Sequence, residues 1–288
     1  MKKEEHVSIS SKFWLCSADC LCGTLSGLIT GGGMTYFYTK YLGLDEGLAS
    51  IVWMIFAAWN ALNDPLFGYI SDRTKSKLGR RIPYIRYGAL LYGLIFILSW
   101  FLWPFGGSQA ALFVQMLLSL FFFDTFYTAI ATSLYVLPYT MAESNQARSG
   151  IFVWKIFFSL LSLGAPLVLF PLVRPDVGES AGRFQAIMIL LGVVTTLVIF
   201  FSTFFYKEKY TSDATDAPRL WESICQCLKN RAFLVYEVIS FTVIFVQTIL
   251  MQGVIYYFDE FTVPMSLAYA SLGAGAVCGI LLWMKSMG

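Results

Sequence analysis

The chain has 288 residues, of which 57% are hydrophobic and only 13% are charged. A soluble domain carries roughly 25% charged residues, so this composition excludes a soluble protein and indicates one that is embedded in a membrane. The net charge of +2 gives no reason to expect a nucleic-acid partner, and the only histidine, His6, excludes a metal site or proton relay built from histidines.

Eight apolar segments are each long enough to cross a bilayer as a helix, which requires about 20 residues. They cover residues 13–38, 48–70, 84–104, 109–138, 150–173, 184–206, 232–258 and 265–284. The first segment is too long for the apolar region of a cleavable signal peptide. The sequence therefore predicts an all-α membrane protein with multiple spans.

Basic residues are distributed unequally between the two sides that these spans define. If the N-terminus is cytoplasmic, fifteen lysines and arginines lie on the cytoplasmic side, and only Lys40, Arg174 and Arg183 lie on the other side. Membrane proteins concentrate basic residues in their cytoplasmic loops. We therefore expect a cytoplasmic N-terminus, in either the plasma membrane or an internal membrane.

The longest polar stretch, residues 207–231, separates the sixth and seventh predicted spans. Within it, Pro218 is followed by apolar residues at the spacing of a short amphipathic helix. These residues are Leu220, Ile224, Cys227 and Leu228. Six spans, a linker and a second set of spans form a layout that is typical of secondary transporters. We predict a six-helix bundle over 1–206, a cytoplasmic linker over 207–231, and two helices of an incomplete, truncated second bundle over 232–288.

The second predicted span carries Asn60, Asn63 and Asp64. Their i, i+3, i+4 spacing places two amides and a carboxylate on one helix face. Hard cations prefer such oxygen ligands, so the pattern predicts a cation or proton site. The alternative is a polar contact between helices, because asparagine side chains also form hydrogen bonds between membrane helices.

The fourth predicted span carries a mainly polar stripe at helical spacing. It consists of Asp124, Tyr127, Thr128, Ala131 and Tyr135. A polar stripe flanked by phenylalanines suits a substrate cavity inside a bundle. Asp124 lies near the membrane midplane, where we expect its carboxylate to be protonated or paired. The alternative is an aspartate that forms a hydrogen bond with a neighbouring helix.

Three further ionisable residues inside the apolar spans are Asp19, Lys155 and Glu237. At 1.5 Å rise per residue, Asp19 and Lys155 both lie in the cytoplasmic third of the membrane, at the level of Asp64. Lys155 could therefore neutralise either aspartate, or it could extend to the cytoplasmic headgroups. Charged groups at such depths usually face a cavity or a partner, so Asp19 and Lys155 are candidate substrate ligands.

The loop after the second span carries a longer pattern. Residues 63–68 (NDPLFG), 71–74 (SDRT) and 79–84 (GRRIPY) resemble the signature of the glycoside–pentoside–hexuronide cation symporters, the melibiose-permease-like members of the major facilitator superfamily. Residues 59–68 (WNALNDPLFG) and the stretch around Asp124 are also similar to an orphan eukaryotic branch, the transmembrane protein 180 group.

The resemblance implies a major-facilitator-type helical bundle of twelve helices in two halves, a central cavity, and alternating access coupled to sodium or protons. The positions of Asn60, Asn63 and Asp64 match the family's cation site, although the first is an acid in the melibiose-permease-like proteins. The family's cation-site threonine aligns with Tyr127, and Thr128 lies beside it.

The resemblance carries over less well to the sugar site. The family's two sugar-binding acids align near Thr24 and at Ile130, although Asp19 could replace the first, and the family's helix-five arginine becomes Lys155. In the loop of the superfamily, an acid at the position of Asp72, followed by Arg73, pairs with the opposite bundle and acts as a gate.

We therefore expect a cation-coupled secondary transporter of a small polar solute, for example a sugar. The alternative is a transporter-derived scaffold or receptor that no longer transports, because some family acids are missing. No nucleophile–base pair or metal constellation suggests an enzyme. The expected partners are the solute and the lipid bilayer, and no cofactor is expected apart from sodium or a proton as the coupling ion. The sequence leaves open the oligomeric state and the choice of ion and solute.

Overall fold

The computed structural model describes residues 7–104, 106–175, 180–209 and 220–260, together with residues 274, 275 and 279. Regular elements in these ranges are all helical. They are α1 (Ile9–Thr30), α2 (Gly33–Tyr36), a π-helix (Phe37–Tyr41), α3 (Glu46–Arg73), α4 (Ile82–Leu98), α5 (Gln109–Met141), α6 (Asn145–Val173), α7 (Gly182–Ser202), α8 (Leu220–Lys229) and α9 (Arg231–Glu260).

The first predicted span is interrupted in the structure. Gly32 has a φ of +94°, a left-handed conformation that side chains with a Cβ rarely adopt, and the chain continues as α2 and the π-helix. The predicted span over 13–38 lies within the apolar segment Ile9–Tyr41, which is long enough to cross a bilayer, and its helix is interrupted at Gly32. The predicted linker helix is present as α8, and the predicted span 265–284 lies outside the described residues apart from three positions.

Four helices begin with a side-chain cap that the sequence provides locally. Ser8, Asp45, Ser108 and Ser144 each accept a hydrogen bond from the backbone N–H three residues later. Such caps satisfy amides that have no partner within the helix. They explain why α1, α3, α5 and α6 begin where they do.

The hydropathy of the helices supports a membrane-embedded bundle. In the described part of the chain, four segments are long and apolar enough to span a bilayer, and α4 is a shorter apolar helix. The four are Ile9–Tyr41, Gln109–Met141, Asn145–Val173 and Gly182–Ser202. Although α3 has 28 residues, Asn60, Asn63 and Asp64 make it more polar than these four.

The contacts within the bundle determine which side chains meet. α1 packs against α5, α6 and α7, while α4 packs against α5 and α7, and α3 packs against α5. The chain divides into two compact units, Met1–Ala217 and Pro218–Gly288, and this division falls inside the predicted linker. The finer domain limits at 206 and 231 stay predictions.

Glycines allow α1 and α6 to approach each other closely. A Cβ at Gly23 would collide with the Ser162 Oγ, and one at Gly27 would lie 2.6 Å from the Pro166 Cγ. Real Cβ atoms do not come so close to other heavy atoms, so only glycine fits at either position. Small residues serve this purpose where membrane helices pack tightly.

Gly93, at the contact between α4 and α7, provides a test of this packing. A Cβ there would overlap the Thr196 Oγ1 and would lie 3.0 Å from the Gly192 carbonyl oxygen. We expect Gly93→Val to lower the free energy of unfolding by about 1–3 kcal/mol, the usual cost of overpacking. Thermal denaturation in detergent measures this loss. Gly164→Val is the matched control, because a Cβ at Gly164 has nothing within 4 Å. Equal effects of the two substitutions would contradict the expected packing.

Candidate functional site

A buried polar contact joins α3 to α5. The Asn63 amide nitrogen donates to the Asp124 Oδ2 at 2.9 Å and lies 3.3 Å from the Asp124 carbonyl oxygen. Asn63 is 2% exposed and Asp124 is 5% exposed. Because buried polar groups are costly without partners, this contact holds the two helices in one register.

One residue further along α3, a second contact joins the same two helices. The Thr128 hydroxyl donates to the Asp64 Oδ1 at 3.0 Å. Thr128 is buried, whereas Asp64 is exposed, so the carboxylate remains open to an ion. The predicted pair Asp64 and Thr128 is thus brought together across α3 and α5.

The two contacts form what we call the α3–α5 cluster: Asn63, Asp64, Asp124 and Thr128. Its two carboxylates are held by an amide and a hydroxyl, and in the described part of the chain neither forms an ion pair with a basic side chain. Asn60 is half-buried and makes no side-chain hydrogen bond within the described residues. Asp124, predicted as a substrate ligand, lies in this cluster, because α5 directs it towards Asn63; its role towards the solute stays a prediction.

A separate pocket of about 160 Å³, with several polar groups in its lining, lies among α1, α5 and α6. Its lining includes Asp19 and Gly23 from α1, Tyr127 from α5, and Ser159 and Ser162 from α6. Carboxylate and hydroxyl groups in one concave site can both accept and donate hydrogen bonds to a ligand. Two of the predicted substrate ligands, Asp19 and Tyr127, therefore line one pocket.

Lys155 lies beside this pocket, next to Asp19. Its Nζ lies 3.2 Å from the Asp19 Oδ2, and the two side chains are 14% and 31% exposed, respectively. The lysine also lies over the Tyr135 ring, 5.8 Å from the ring centre. Of the open alternatives for Lys155, the structure shows the pairing with Asp19 and not with Asp64.

The loop between α3 and α4 pairs its predicted gate residues differently from the expectation. The Arg81 Nη2 lies 2.5 Å from the Asp72 Oδ1, so Asp72 pairs within its own loop. Arg73 lies over the Tyr69 ring, with its guanidinium carbon 3.8 Å from the ring centre. The structure therefore brings Asp72 to Arg81, whereas pairing of Asp72 with an opposite bundle stays a prediction.

Glu208, which follows α7, is a residue that the sequence did not single out. Its carboxylate accepts hydrogen bonds from the backbone N–H groups of Arg80, Arg81 and Ile82, at 2.8–3.1 Å. A carboxylate is favoured at a helix N-terminus, where the amides are unpaired and the helix dipole is positive. Gly79 has a φ of +107°, and a Cβ there would lie 2.5 Å from the Glu208 carboxylate. The run Gly79, Arg80, Arg81 is thus shaped to receive this acid.

Known proteins are similar to this chain in sequence. The family described as "MFS/sugar transport protein" matches residues 24–285. "Putative glycoside/cation symporter YagG" of Escherichia coli is 28% identical over 188 residues, which are 62% of this chain and 39% of that protein. "Uncharacterized symporter YnaJ" of Bacillus subtilis is 26% identical over 260 residues, 88% of this chain and 55% of that protein.

The similarity also reaches the orphan branch suggested by residues 59–68. "Transmembrane protein 180" of Gallus gallus is 23% identical over 172 residues, which are 55% of this chain and 32% of that protein. In each of these three comparisons, the chain covers between about a third and about half of the relative's length.

Proposed function

The chain belongs to the MFS/sugar transport protein family, and from this premise we propose that it forms part of a cation-coupled secondary transporter for a small polar solute. The predicted resemblance to the cation symporters is confirmed by this match and by the named relatives. The protein is an integral, multi-pass membrane protein. The N-terminus is cytoplasmic in this proposal, on the strength of the basic residues.

The observation that carries the proposal is the α3–α5 cluster. Asn63 on α3 holds Asp124 on α5, and Thr128 on α5 holds Asp64 on α3, in a bundle made of apolar helices. Two carboxylates in one cluster repel each other when both are charged, and the buried Asp124 is also poorly solvated. A bound sodium ion or proton removes this cost, and carboxylate, amide and hydroxyl oxygens are suitable ligands for a hard cation.

The chemistry of the neighbouring pocket supports a hydroxylated or otherwise polar solute. Asp19 offers acceptors, Lys155 offers donors, and the hydroxyl groups of Tyr127, Ser159 and Ser162 offer both. A solute that donates hydrogen bonds to Asp19 and accepts them from Lys155 can take the place of the ion pair between these two residues.

The two sites share α5, which suggests how they are coupled. Asp124 and Thr128 face α3 in the cluster, whereas Tyr127 and Ala131 line the pocket. A cation that changes the contacts between α3 and α5 therefore shifts the helix that supplies the pocket wall. Such differential contacts are what an ion needs in order to change solute affinity. No contact in the described residues favours the alternative, a non-transporting scaffold or receptor.

The test is uptake by the full-length protein in proteoliposomes. A panel of radiolabelled glycosides, pentoses and amino acids is presented with an inward sodium gradient, an inward proton gradient, or neither. We expect accumulation of at least one solute with one of the gradients only, and equilibration without accumulation when the gradient is collapsed. Accumulation that is indifferent to both gradients, or no transport of any solute, would contradict the proposal.

A further inference from the structure

The short helix α8, residues Leu220–Lys229, has two chemically different sides. Positions 220, 221, 224, 225 and 228 share one side and are all apolar or cysteine, whereas positions 222, 223, 226 and 229 share the other and are all polar. On the apolar side, Trp221 is 74% exposed and Leu228 is 59% exposed. We call this side the α8 apolar face.

A tight corner fixes where α8 ends relative to α9, with only Asn230 between them. The Asn230 backbone N–H donates to the Cys227 carbonyl oxygen at 3.0 Å. Its side-chain oxygen accepts from the backbone N–H groups of Ala232 at 3.0 Å and Phe233 at 3.4 Å. Asn230 therefore terminates one helix and caps the next, so the C-terminal end of α8 lies at the level where α9 begins.

The residues next to this corner fit a membrane surface. The first turns of α9 expose many large apolar side chains, with Glu237 and Ser240 between them. These apolar side chains include Leu234, Val235, Tyr236, Val238, Ile239 and Phe241. Lys229 and Arg231 flank the corner, and basic residues accumulate where a membrane helix meets the headgroups. The exposed apolar side chains of α9 thus begin a few residues after the α8 apolar face, whose exposed members include Trp221 and Leu228.

We propose that α8 is an interfacial helix, which lies in the bilayer surface that α9 enters, with its apolar face in the boundary between headgroups and acyl chains. The partner is the lipid bilayer itself. A helix with a strongly apolar side and a polar side binds this boundary, and tryptophan is favoured there because its ring is both apolar and polar. Lys229 and Arg231 fit phospholipid phosphates. The proposal requires α9 to span the membrane and does not depend on the transported solute.

The test measures depth at two positions on opposite sides of α8. Leu228 lies at the middle of the apolar face, and Gln226 lies almost opposite. Leu228→Cys and Gln226→Cys are each made in the full-length protein after the six native cysteines are replaced by alanine. Each variant is spin-labelled in nanodiscs of phosphatidylcholine and phosphatidylglycerol. Collisions of the label with oxygen, which dissolves in lipid, and with a water-soluble nickel chelate are compared.

We expect the label at position 228 to collide with oxygen but not with nickel, at a depth of about 5–10 Å below the phosphates. The label at position 226 should show the reverse preference. Strong nickel collisions at both positions would place α8 in water, and an immobilised label at 228 that meets neither reagent would place it against protein. Either result would overturn the proposal.

A second measurement avoids the cysteine replacements. Lipids brominated near the top of their acyl chains quench tryptophans at the interface. In the otherwise native protein, Trp221→Phe should lower the fraction of tryptophan emission that these lipids quench. A quenched fraction that stays the same or rises would show that Trp221 is no closer to these lipids than the other tryptophans, and it would likewise overturn the proposal.

Discussion

Replacing Asp64 with asparagine is expected to abolish solute accumulation driven by an ion gradient while leaving the protein folded. The amide oxygen of the new side chain takes the place of the Asp64 Oδ1 and can still accept the hydrogen bond from Thr128, which is 3.0 Å long in the native protein. The contact between α3 and α5 therefore persists, and little packing changes because Asp64 is exposed. What is lost is the negative charge that binds the cation in the proposed mechanism. Uptake and solute counterflow in proteoliposomes measure the two consequences: accumulation should disappear, whereas exchange of bound solute should continue.

Glu46→Gln is the matched control for Asp64→Asn. Glu46 is an acid on the same helix, but its carboxylate forms an exposed ion pair with Lys40, with the two side chains 73% and 56% exposed. Exposed ion pairs contribute little to stability, so this variant should accumulate solute like the wild type. If Asp64→Asn kept the wild-type ion dependence, Asp64 would have no part in coupling.

Breaking the ion pair between Lys155 and Asp19 is expected to have the second-largest effect. Lys155→Met leaves the Asp19 carboxylate without its cation in a half-buried pocket, where an uncompensated charge is costly. We expect the free energy of unfolding to fall by about 1–3 kcal/mol, less than for a fully buried pair because Asp19 retains some contact with solvent. Thermal unfolding measures this loss, and binding of the transported solute should weaken in parallel.

The double variant Asp19→Asn/Lys155→Met separates stability from binding. Removing both charges should restore most of the stability, because no unpaired charge remains, but it should not restore solute binding. A double-mutant cycle gives the coupling energy between the two residues. Lys40→Met is the control for the loss of an exposed lysine, and it should change the unfolding free energy by less than about 1 kcal/mol. Full solute affinity in the double variant would show that the pair only stabilises the bundle.

The sequence predicted the helices well, because each helix is indicated by a long run of apolar residues that follow one another in the chain. Gly31, Gly32 and Gly33 fit both close helix packing and local unwinding, so the sequence did not decide whether the first helix is interrupted. Only the φ of Gly32 reveals that the chain leaves the helix there. The linker helix α8 was predicted from apolar spacing alone, because that signal lies within ten residues.

The site was predicted less completely because its contacts join distant segments. Depth estimates placed Asp19, Asp64 and Lys155 at one level but could not choose between the two aspartates, which depends on how each helix is rotated. For the same reason, the sequence left open whether Asp124 faces a solute or a neighbouring helix. The spacing of these residues was a hint. Asp124 and Thr128 are four residues apart and share one face of α5, as Asn63 and Asp64 share one face of α3, so the two polar faces could pair.

Glu208 had no comparable signal. It caps α4 from a position 126–128 residues away, and nothing near it in the sequence indicates that role. Arg81 offers α4 no side-chain cap of its own, so an acceptor from elsewhere was needed. The sequence shows this need only as a missing local cap at the start of a helix.

The central claim, that the α3–α5 cluster binds the coupling ion, is tested most directly by cation-dependent thermal stability. The wild type and Asp64→Asn are unfolded in sodium chloride and in choline chloride at equal ionic strength, over a pH series. A ligand at 100 times its Kd stabilises a folded protein by about 2.7 kcal/mol. We predict that either sodium or protons raise the unfolding temperature of the wild type. The same ion should leave the unfolding temperature of Asp64→Asn unchanged. Identical ion and pH responses of the two proteins would contradict the claim.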